Sequence, residues 1–355
     1  ALLELQPQLR LQLAAPTGKA AARLREAIER DGRRLAAQLA GPLLAAPCST
    51  LHRLLESNGE RFGRHRQRPL DLDLLVVDEL SMVDLPLMAA LLEALPAACR
   101  LVLVGDPAQL PPVGPGPVLQ ELMQPPWLEQ LGPAAVELRT TYRNAGAIAA
   151  VATELRHAGD APLQRLTARL QQLDPAGNLH WRQASARQPP ATAIGALRQH
   201  QQRLGELAAE LAAALARGSG ELPPEEAVEP LLSELEGCVA LTPVRQGPWG
   251  VDGLHRQLLG EAAGRSIAHW PLGTPVLNQR NLPEQGLANG DVGVLVGIGS
   301  ERRVLFPGGR LLHPARLGQA EPALALTVHK SQGSQYGTVW LLLPPGRDWD
   351  GRLLY

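Results

Sequence analysis

Short, unbroken runs of apolar residues alternate along this chain with longer amphipathic stretches, and this alternation is what most constrains the fold. An unbroken apolar run predicts a strand buried on both faces, whereas apolar residues at a 3.6-residue period predict a helix covering a sheet. Strands and helices in alternation indicate an α/β fold with parallel sheets. Such runs are LDLLVVDE (72–79), RLVLVGD (100–106), CVALTPV (238–244) and LALTVH (324–329), and LRLQLAA (9–15), which Arg10 and Gln12 interrupt, is a further strand.

A different pattern occupies the stretch from about residue 268 to residue 320, where short strands are separated by Gly turns. Asn289-Gly290 and Gly308-Gly309 are dipeptides typical of tight β-hairpins. This stretch predicts a small β-barrel inserted into an α/β unit. A Pro-rich segment marks a boundary near residue 134. We therefore expect a first domain over 1–134, a second over 135–267 and 321–355, and the barrel over 268–320.

Composition fits a globular protein of more than one domain, with 355 residues, of which 45% are apolar and 19% charged. No apolar run approaches the length of a membrane span. The three cysteines are scattered, with no CxxC, which disfavours a zinc site or disulfides and suits a reducing cytoplasm. The formal net charge is −1, so nucleic acid would have to bind in local grooves rather than through a global basic field.

Lysine is almost absent: only Lys19 and Lys330 occur, although Lys and Arg together number 34. Both lie in loops rich in small residues, PTGKA and VHKSQG. A compact ammonium group rather than a planar guanidinium is one reason for their retention. Chance under a coding bias towards Arg is the alternative.

Two predicted strands end in acidic residues. Asp78 and Glu79 follow LLVV, while Gly105 and Asp106 follow LVLV, with Gln109 on the same loop. In nucleotide hydrolases an Asp at a strand end holds Mg²⁺, a Glu beside it activates water, and a Gln can contact the γ-phosphate. Taken alone, each pair could be a solvated strand end. Together they predict a site at the carboxyl edge of a parallel sheet.

Two further stretches carry groups suited to phosphates. Arg143, in TTYRN, could reach a triphosphate as an arginine finger, or it could be a surface residue in a helix cap. The loop VHKSQG joins cationic, hydroxyl and amide groups to a Gly, a combination suited to a nucleic-acid backbone. A third stretch, RFGRHRQRP (61–69), is either a loop that contacts duplex or merely a solvated one.

The stretch APTGKAA looks like a phosphate-binding loop but lacks two of its required residues. That loop reads Gly-x-x-x-x-Gly-Lys-Ser/Thr. Counting from Gly18 and Lys19, the first Gly position holds Leu13 and the hydroxyl position holds Ala20. We therefore expect this stretch to serve another purpose and the chain to contain no Walker A loop.

Taken in order, these stretches resemble the helicases of superfamily one in the 5′→3′ branch, and within it the RecD-type subunits of exodeoxyribonuclease V (RecBCD). The resemblance implies a P-loop NTPase of the α/β class, with two RecA-like parallel-sheet domains and an SH3-like β-barrel insertion. It covers the chain nearly end to end through the segments LAAPTGKAAARL, STLHRLL, LLVVDELSMVD, LVLVGDPAQLPPVGPG, TYRNAGAI, LTPVRQGPWGVDGLH, GTPVLNQRN, LANGDVGVL and LTVHKSQGSQYGTV.

The resemblance also implies roles for individual residues. Asp78 would hold Mg²⁺, Glu79 would activate water, Gln109 would sense the γ-phosphate of ATP and Arg143 would act as the finger. Gly105 and Asp106 would belong to the nucleotide site. The implied DNA-binding residues are Pro16, Thr17, Gly18, Lys19, Thr50, His52, His329, Lys330, Ser331, Gln332 and Gly333.

The function implied by the resemblance is that of an ATP-dependent DNA helicase subunit in double-strand break repair and recombination. It would act in the cytoplasm on single-stranded and duplex DNA ends, with RecB- and RecC-like subunits and no membrane. In this family a Walker A loop precedes the strand at Leu9, and GRLLY begins the last helicase motif. We therefore expect a fragment that cannot hydrolyse ATP alone. A stand-alone or relaxase-linked helicase and a degenerate, non-hydrolysing DNA-binding module are the alternatives.

Overall fold

The computed structural model of the chain describes residues 2–6, 8–59, 61–138, 146–157, 162–184, 187–217, 225–298, 301–345 and 349–355. It divides into two compact units. The first unit comprises Ala1–Pro16, Ala20–Gln183 and Asp348–Tyr355, and the second comprises Thr17–Lys19 and Ala184–Arg347. The domain boundaries expected at residues 134, 267 and 320 stay predictions.

Helices occupy the amphipathic stretches. In the helix that follows the first acidic strand end, the Asp84 side chain accepts a hydrogen bond from the Leu87 N–H at 3.0 Å, which caps the N-terminus. The helices are α1 (Leu2–Leu5), α2 (Gly18–Gly32), α3 (Ala37–Ala45), α4 (Leu51–Leu54), α5 (Leu85–Ala94), α6 (Val118–Leu122), α7 (Pro125–Leu131), α8 (Gly146–His157), α9 (Pro162–Leu170), α10 (Ala191–Arg217), α11 (Glu225–Leu235), α12 (Val251–Leu259) and α13 (Val328–Ser331). Among the described residues, no helix is both long enough and apolar enough to cross a bilayer.

The first unit is built on a parallel sheet, as the sequence predicts. Its strands are β1 (Leu11–Ala15), β2 (Cys48–Thr50), β3 (Leu74–Val77) and β4 (Arg100–Leu103), in the order β2-β1-β3-β4. Ala14 pairs with Val77, and Val77 pairs with Leu103. Because all four strands run the same way, their carboxyl ends open on one edge.

The prediction that RLVLVGD is buried on both faces is wrong. Val102 is 42% exposed, and Val104, just beyond the strand, is 41% exposed. β4 is one of the two edge strands of the described sheet, so it has a neighbouring strand on one side only. In β3, which lies between β1 and β4, Leu75 and Val77 are fully buried.

The second unit contains a parallel sheet and a larger antiparallel one. Its strands are β5 (Cys238–Thr242), β6 (Pro275–Asn278), β7 (Val292–Ile298), β8 (Glu301–Phe306), β9 (Arg310–Leu312), β10 (Ala320–Pro322), β11 (Ala325–Thr327) and β12 (Thr338–Leu341). The parallel sheet has the order β11-β5-β12, and the antiparallel sheet has the order β10-β6-β7-β8-β9. Gly308 and Gly309 form the β8–β9 turn with φ of 78° and 72°, as their hairpin signal predicts.

The chain passes from the antiparallel sheet to the parallel one through only two residues. Ala323 and Leu324 separate β10 from β11, and both are buried. The Ala323 N–H donates to the Pro275 carbonyl of β6 at 2.9 Å, while the Leu324 carbonyl accepts from the Ala240 N–H of β5 at 3.1 Å. Each residue of this joint is therefore hydrogen-bonded to a different sheet.

Candidate functional site

Asp78 lies at the carboxyl edge of the first sheet, directly after β3. Its backbone N–H donates to the Ala14 carbonyl of β1 at 2.9 Å, which fixes it between the two strands. Its Oδ1 accepts from the Glu79 N–H at 2.9 Å. The carboxylate is partly exposed. A single carboxylate at a strand end matches the way proteins hold Mg²⁺, which keeps most of its other positions for water and phosphate oxygens.

Glu79 adopts a backbone conformation that is uncommon for its residue type. Its φ of 54° and ψ of 43° place it in the left-handed region. Such a conformation costs a non-Gly residue of the order of 1–3 kcal/mol and concentrates at functional sites. A short 3₁₀ turn over Leu80–Met82 follows, so the chain reverses sharply once it leaves β3.

The loop after β4 carries Gln109 to the same edge. Gln109 Oε1 accepts a hydrogen bond from the hydroxyl of Ser81 at 3.4 Å, and Ser81 is only 5% exposed. The Leu80 N–H also donates to the Val104 carbonyl at 2.9 Å. The structure thus joins the Asp78-Glu79 and Gln109 loops, which the sequence predicts only to be neighbours.

Gly105 lets these two loops approach each other. A Cβ atom at Gly105 would lie 2.9 Å from Leu119 Cδ2, 3.0 Å from Leu80 Cβ and 3.1 Å from the Leu80 nitrogen. A side chain there would require Leu119 to move and Leu80 to shift by a few tenths of an ångström. The role of Gly105 in this structure is therefore close packing, which a motif alone does not distinguish from a phosphate contact.

Asp106 is held by two residues that sequence reasoning missed. Its Oδ2 accepts from Tyr355 Oη at 2.6 Å and from Arg156 Nη2 at 3.1 Å. Its Oδ1 accepts from the Ala108 N–H at 3.0 Å. Arg156 is one of many arginines on amphipathic helices, so nothing local in the sequence distinguishes it. Tyr355 lies in the GRLLY stretch, whose match to a helicase motif marks the segment but not this contact.

Arg143, the predicted arginine finger, lies outside the described residues. Among those that are described, no group of three His, Cys, Asp or Glu side chains could hold a metal ion. Asp78 therefore stays the single protein ligand predicted for Mg²⁺.

The predicted DNA-binding residues of the first domain follow β1 and β2. Ala15 pairs with Thr50, so the chain leaves the sheet at the same edge before Pro16 and after Thr50. Gly18 and Lys19 open α2, directly after Thr17. The Thr50 hydroxyl caps α4 by accepting from the Arg53 N–H at 3.2 Å. His52 is exposed on that short helix.

The Arg-rich loop after α4 is tied to one acid. Glu56 accepts from Arg64 and from Arg68, each at 2.8 Å, one at each carboxylate oxygen. Glu56 has a φ of 53°, which turns the chain into the loop. Part of the positive charge of this loop is therefore neutralised internally, and the two interpretations of the loop, duplex contact or solvated surface, both stay open.

In the second unit, the predicted VHKSQG loop follows β11 and forms the short helix α13. The Thr327 hydroxyl caps this helix by accepting from the Lys330 N–H at 3.4 Å, and Ser331 Oγ donates to the Val328 carbonyl at 2.8 Å. Gly333 has a φ of 70°, a conformation that favours glycine. His329 and Lys330 are exposed, and Ser331, Gln332 and Gly333 are partly buried.

Lys330 does not stand alone in this loop. Its Nζ lies 2.6 Å from Glu321 Oε1, and Arg245 Nη2 lies 2.7 Å from Glu321 Oε2. Burial alone would raise the pKa of Glu321, but the hydrogen bonds from Arg245 and Lys330 outweigh burial and hold the pKa at about 2. Glu321 therefore stays ionised and orients both cations. Sequence reasoning missed it because an acid on a barrel strand is usually a solvated side chain.

A buried histidine contacts β11, the strand that leads into this loop. His255, on α12, is 4% exposed, and its Nε2 accepts from the Ala325 N–H of β11 at 3.2 Å. Burial lowers the pKa of His255 to about 4, against smaller opposite effects of Glu321 and Asp252. Its imidazole is therefore neutral at pH 7 and acts as a fixed acceptor at the start of β11.

Comparison with known proteins gives a consistent result along the whole chain. Residues 1–115 match a family model described as an AAA domain. The chain is 38% identical over 358 residues to the RecBCD enzyme subunit RecD of Mycolicibacterium smegmatis, covering 98% of this chain and 59% of that protein. It is 30% identical to the RecBCD enzyme subunit RecD of Haemophilus influenzae, covering 95% of this chain and 58% of that protein.

A further relative is the ATP-dependent RecD2 DNA helicase of Deinococcus radiodurans, at 34% identity over 93% of this chain and 38% of that protein. Among solved structures, Bacteroides Pif1 bound to ssDNA matches 99% of this chain and 80% of its own, at 16% identity and a TM-score of 0.41. The chain therefore spans just under three fifths of the length of the two RecD relatives and less than two fifths of the length of the RecD2 relative.

Proposed function

We propose that this chain, which belongs to the RecD-like helicase family, forms part of an ATP-dependent DNA motor that acts as a subunit of an exonuclease V complex. The observation that carries the proposal is the joined pair of loops at the edge of the first sheet. Asp78 and Glu79 follow β3, Gln109 lies on the loop after β4, and the Ser81 hydroxyl, two residues after Glu79, joins the two loops by its hydrogen bond to Gln109. Such a pair of loops fits phosphate-bond hydrolysis, for which Asp78 would supply the metal ligand, Glu79 the base and Gln109 the γ-phosphate contact.

Within this proposal the residues have separate tasks. Asp78 holds Mg²⁺, Glu79 takes the proton of the attacking water and Gln109 contacts the γ-phosphate. When bound, Mg²⁺ neutralises charge on the phosphate oxygens. The left-handed backbone of Glu79 turns the chain directly after β3. Arg143 is proposed as the finger, and the remaining phosphate-binding groups would come from outside the stretches described above.

DNA is proposed to run over the loops at the sheet edges. The groups there are Thr50 and His52 in the first unit, and the loop from His329 to Gly333 in the second, with the loop from Pro16 to Lys19. Contacts of these loops with the phosphate backbone of DNA should not depend on the DNA sequence and should weaken as the salt concentration rises. RecB- and RecC-like subunits are the proposed protein partners. The three cysteines are free thiols, which suits a reducing compartment such as the cytoplasm.

The test is a Glu79→Gln substitution in the full-length protein that carries this sequence. We expect DNA-stimulated ATP hydrolysis to fall by at least about a hundredfold, because general-base catalysis contributes about 10²–10⁴. Binding of ATP, measured by equilibrium dialysis, should be retained. Glu93→Gln, on an exposed face of α5, is the matched control. A near-normal kcat in Glu79→Gln would exclude this role for Glu79.

A second experiment separates the motor from a non-hydrolysing DNA-binding module. Both predict salt-dependent binding of single-stranded DNA, but only a motor couples that binding to turnover. We expect the full-length protein to hydrolyse ATP faster when single-stranded DNA is added. DNA binding with no ATP turnover would favour the module.

A further inference from the structure

We propose that Arg156 and Tyr355 are positioning residues that lock the Gln109 loop through Asp106, and that Asp106 is their anchor rather than a ligand of nucleotide or metal. The proposal rests on the proposed function for its catalytic consequence. Its structural content, the restraint of one loop by two distant residues, is independent of that function.

The three side chains form a closed triangle of hydrogen bonds. Tyr355 Oη donates to Asp106 Oδ2 at 2.6 Å, and Arg156 Nη2 donates to the same oxygen at 3.1 Å. Arg156 Nη2 also donates to Tyr355 Oη. The Arg156 guanidinium lies over the Tyr355 ring, with 5.4 Å from Cζ to the ring centroid. Charge-assisted bonds in a closed set of this kind are strong and directional.

Three of the roughly four acceptor sites of the Asp106 carboxylate are already occupied, which leaves little capacity for a cation. Oδ2 accepts two bonds, Oδ1 accepts from the Ala108 N–H, and the Arg156 guanidinium neutralises the carboxylate. The Asp106 side chain is 24% exposed. At the next strand end, Asp78 accepts one backbone bond and faces no such cation in the described part of the chain. Of the two acids, Asp78 is the one suited to Mg²⁺.

From Asp106 the restraint passes to the catalytic loop through short contacts. The Asp106 carbonyl accepts from the Gln109 N–H at 3.2 Å, and the Gln109 side chain accepts from Ser81. Ser81 lies two residues after Glu79. Fixing the Asp106 side chain therefore fixes the backbone of Gln109 relative to the residue proposed as the base.

Tyr355 is itself held in place by its own segment. Arg352 Nη1 donates to Gln120 Oε1 on α6 at 3.4 Å, and its Nε pairs with Asp350 at 2.9 Å. Burial, followed by the bond to Asp106, raises the pKa of Tyr355 above its usual value. The phenol is therefore a hydrogen-bond donor throughout the working pH range. The segment from Asp350 to Tyr355 thus touches α6 and the Asp106 loop at two separate points.

The first test measures hydrogen exchange at the Ala108 and Gln109 amides in this chain. Tyr355→Phe removes one hydroxyl and keeps the ring, and Arg156→Met removes the charge and keeps the stem. We expect each variant to speed exchange at these two amides about tenfold, because each loses one charge-assisted hydrogen bond to Asp106. Arg169→Met, whose partner Glu154 lies on α8, is the control because it touches neither Asp106 nor Tyr355. It should leave both amides unchanged.

A double-mutant comparison checks that Asp106 is the shared partner. In an Asp106→Asn background, Tyr355→Phe should add less than twofold to the exchange rate. Unchanged exchange in the single variants would overturn the proposal. So would equal acceleration in Arg169→Met, because the contacts would then serve only general packing. If Arg156→Met fails to fold, Arg156→Lys takes its place. It keeps the positive charge without the planar guanidinium and should give an exchange rate between those of wild type and Tyr355→Phe.

The second test measures ATP hydrolysis in the full-length protein. A misplaced loop should lower kcat by about tenfold in Tyr355→Phe and Arg156→Met, while the KM for ATP changes less than twofold. Arg156→Lys should recover part of the kcat. A selective rise in KM for ATP or Mg²⁺ in Asp106→Asn would make Asp106 a ligand and overturn the proposal. Glu79→Gln reports separately on the proposed function, because it leaves the triangle intact.

Discussion

Protonation of one buried histidine should set the pH dependence of the second unit between pH 4 and pH 6.5. His255 has a pKa of about 4 in the folded chain and an ordinary value of 6.5 when exposed, because burial disfavours its charged form. Between these two values the unfolded chain binds a proton that the folded chain does not. The free energy of unfolding must therefore fall as pH is lowered through 6.5, and the loss is complete below pH 4.

The size of the effect follows from the two pKa values. Each unit of pKa difference corresponds to about 1.4 kcal/mol, and integration from pH 7 to pH 4 gives a loss of about 3 kcal/mol. Glu321, with a pKa of about 2, contributes stability that is lost only below its ordinary value of 4.5. The charged groups that act on His255 are Glu321, Asp252 and Arg245.

The perturbation is His255→Gln, because the Gln side-chain oxygen can accept from the Ala325 N–H but does not titrate. Urea unfolding is followed by tryptophan fluorescence at pH 4, 5, 6 and 7. Trp127, Trp181 and Trp349 are changed to Phe in both proteins, so that the emission reports on the second unit. The difference between the two proteins cancels the groups they share. We expect wild type to lose about 3 kcal/mol more than the variant from pH 7 to pH 4.

The control for this experiment is His313→Gln, at an exposed histidine whose ring nitrogen accepts from the Ala315 N–H at 3.2 Å. That variant should follow the wild-type profile. Parallel profiles for wild type and His255→Gln would refute the reasoning, because they would show that His255 is protonated equally in the folded and unfolded chains.

Three further outcomes follow from single contacts. Glu321→Gln should lower the free energy of unfolding at pH 7 by about 1–3 kcal/mol in urea titrations, since it leaves two cations without their shared carboxylate. The variant should also lose less stability than wild type from pH 4.5 to pH 2. An unchanged acid profile would contradict this prediction. Gly105→Ala should cost about 1–3 kcal/mol in thermal unfolding, because its Cβ would meet Leu80 and Leu119; a neutral result would mean that the loop moves freely. Glu79→Gly should raise the free energy of unfolding by up to about 1 kcal/mol relative to Glu79→Ala, since only Gly adopts a φ of 54° without strain, and equal stability of the two variants would argue against stored strain.

Local patterns in the sequence predict most of the strands and the loops that follow them. The run LLVV becomes β3 and leaves Asp78 at a sheet edge, as its unbroken apolar character indicates. Thr327 caps α13 three residues before Lys330, a spacing that is readable directly. The structure confirms that acidic residues follow β3 and β4 and that the two strands are parallel. Both features could be predicted because each depends on a short stretch of chain.

Contacts between distant polar groups could not be predicted in this way. Arg156 and Tyr355 lie 50 and 249 residues from Asp106, and neither position has a local signature. Glu321 likewise looks like a solvated acid until β10 is seen to end beside Lys330. The exposure of β4 could not be predicted for a different reason. Burial of a strand depends on the elements that pack around it, and the sequence of the strand does not show that β4 lies at an edge of the sheet. Periodicity reports the average environment of a residue, not its partners.

The joint between β10 and β11 has a mechanical consequence. A linker works as a hinge when its backbone is free to rotate, but Ala323 and Leu324 are buried and each is hydrogen-bonded to a different sheet. A load applied to the antiparallel sheet would therefore pass into β11 without being absorbed, and three residues later it would reach Thr327 and the Lys330 loop. The antiparallel sheet and that loop are therefore mechanically coupled. Displacing either the antiparallel sheet or the Lys330 loop should displace the other.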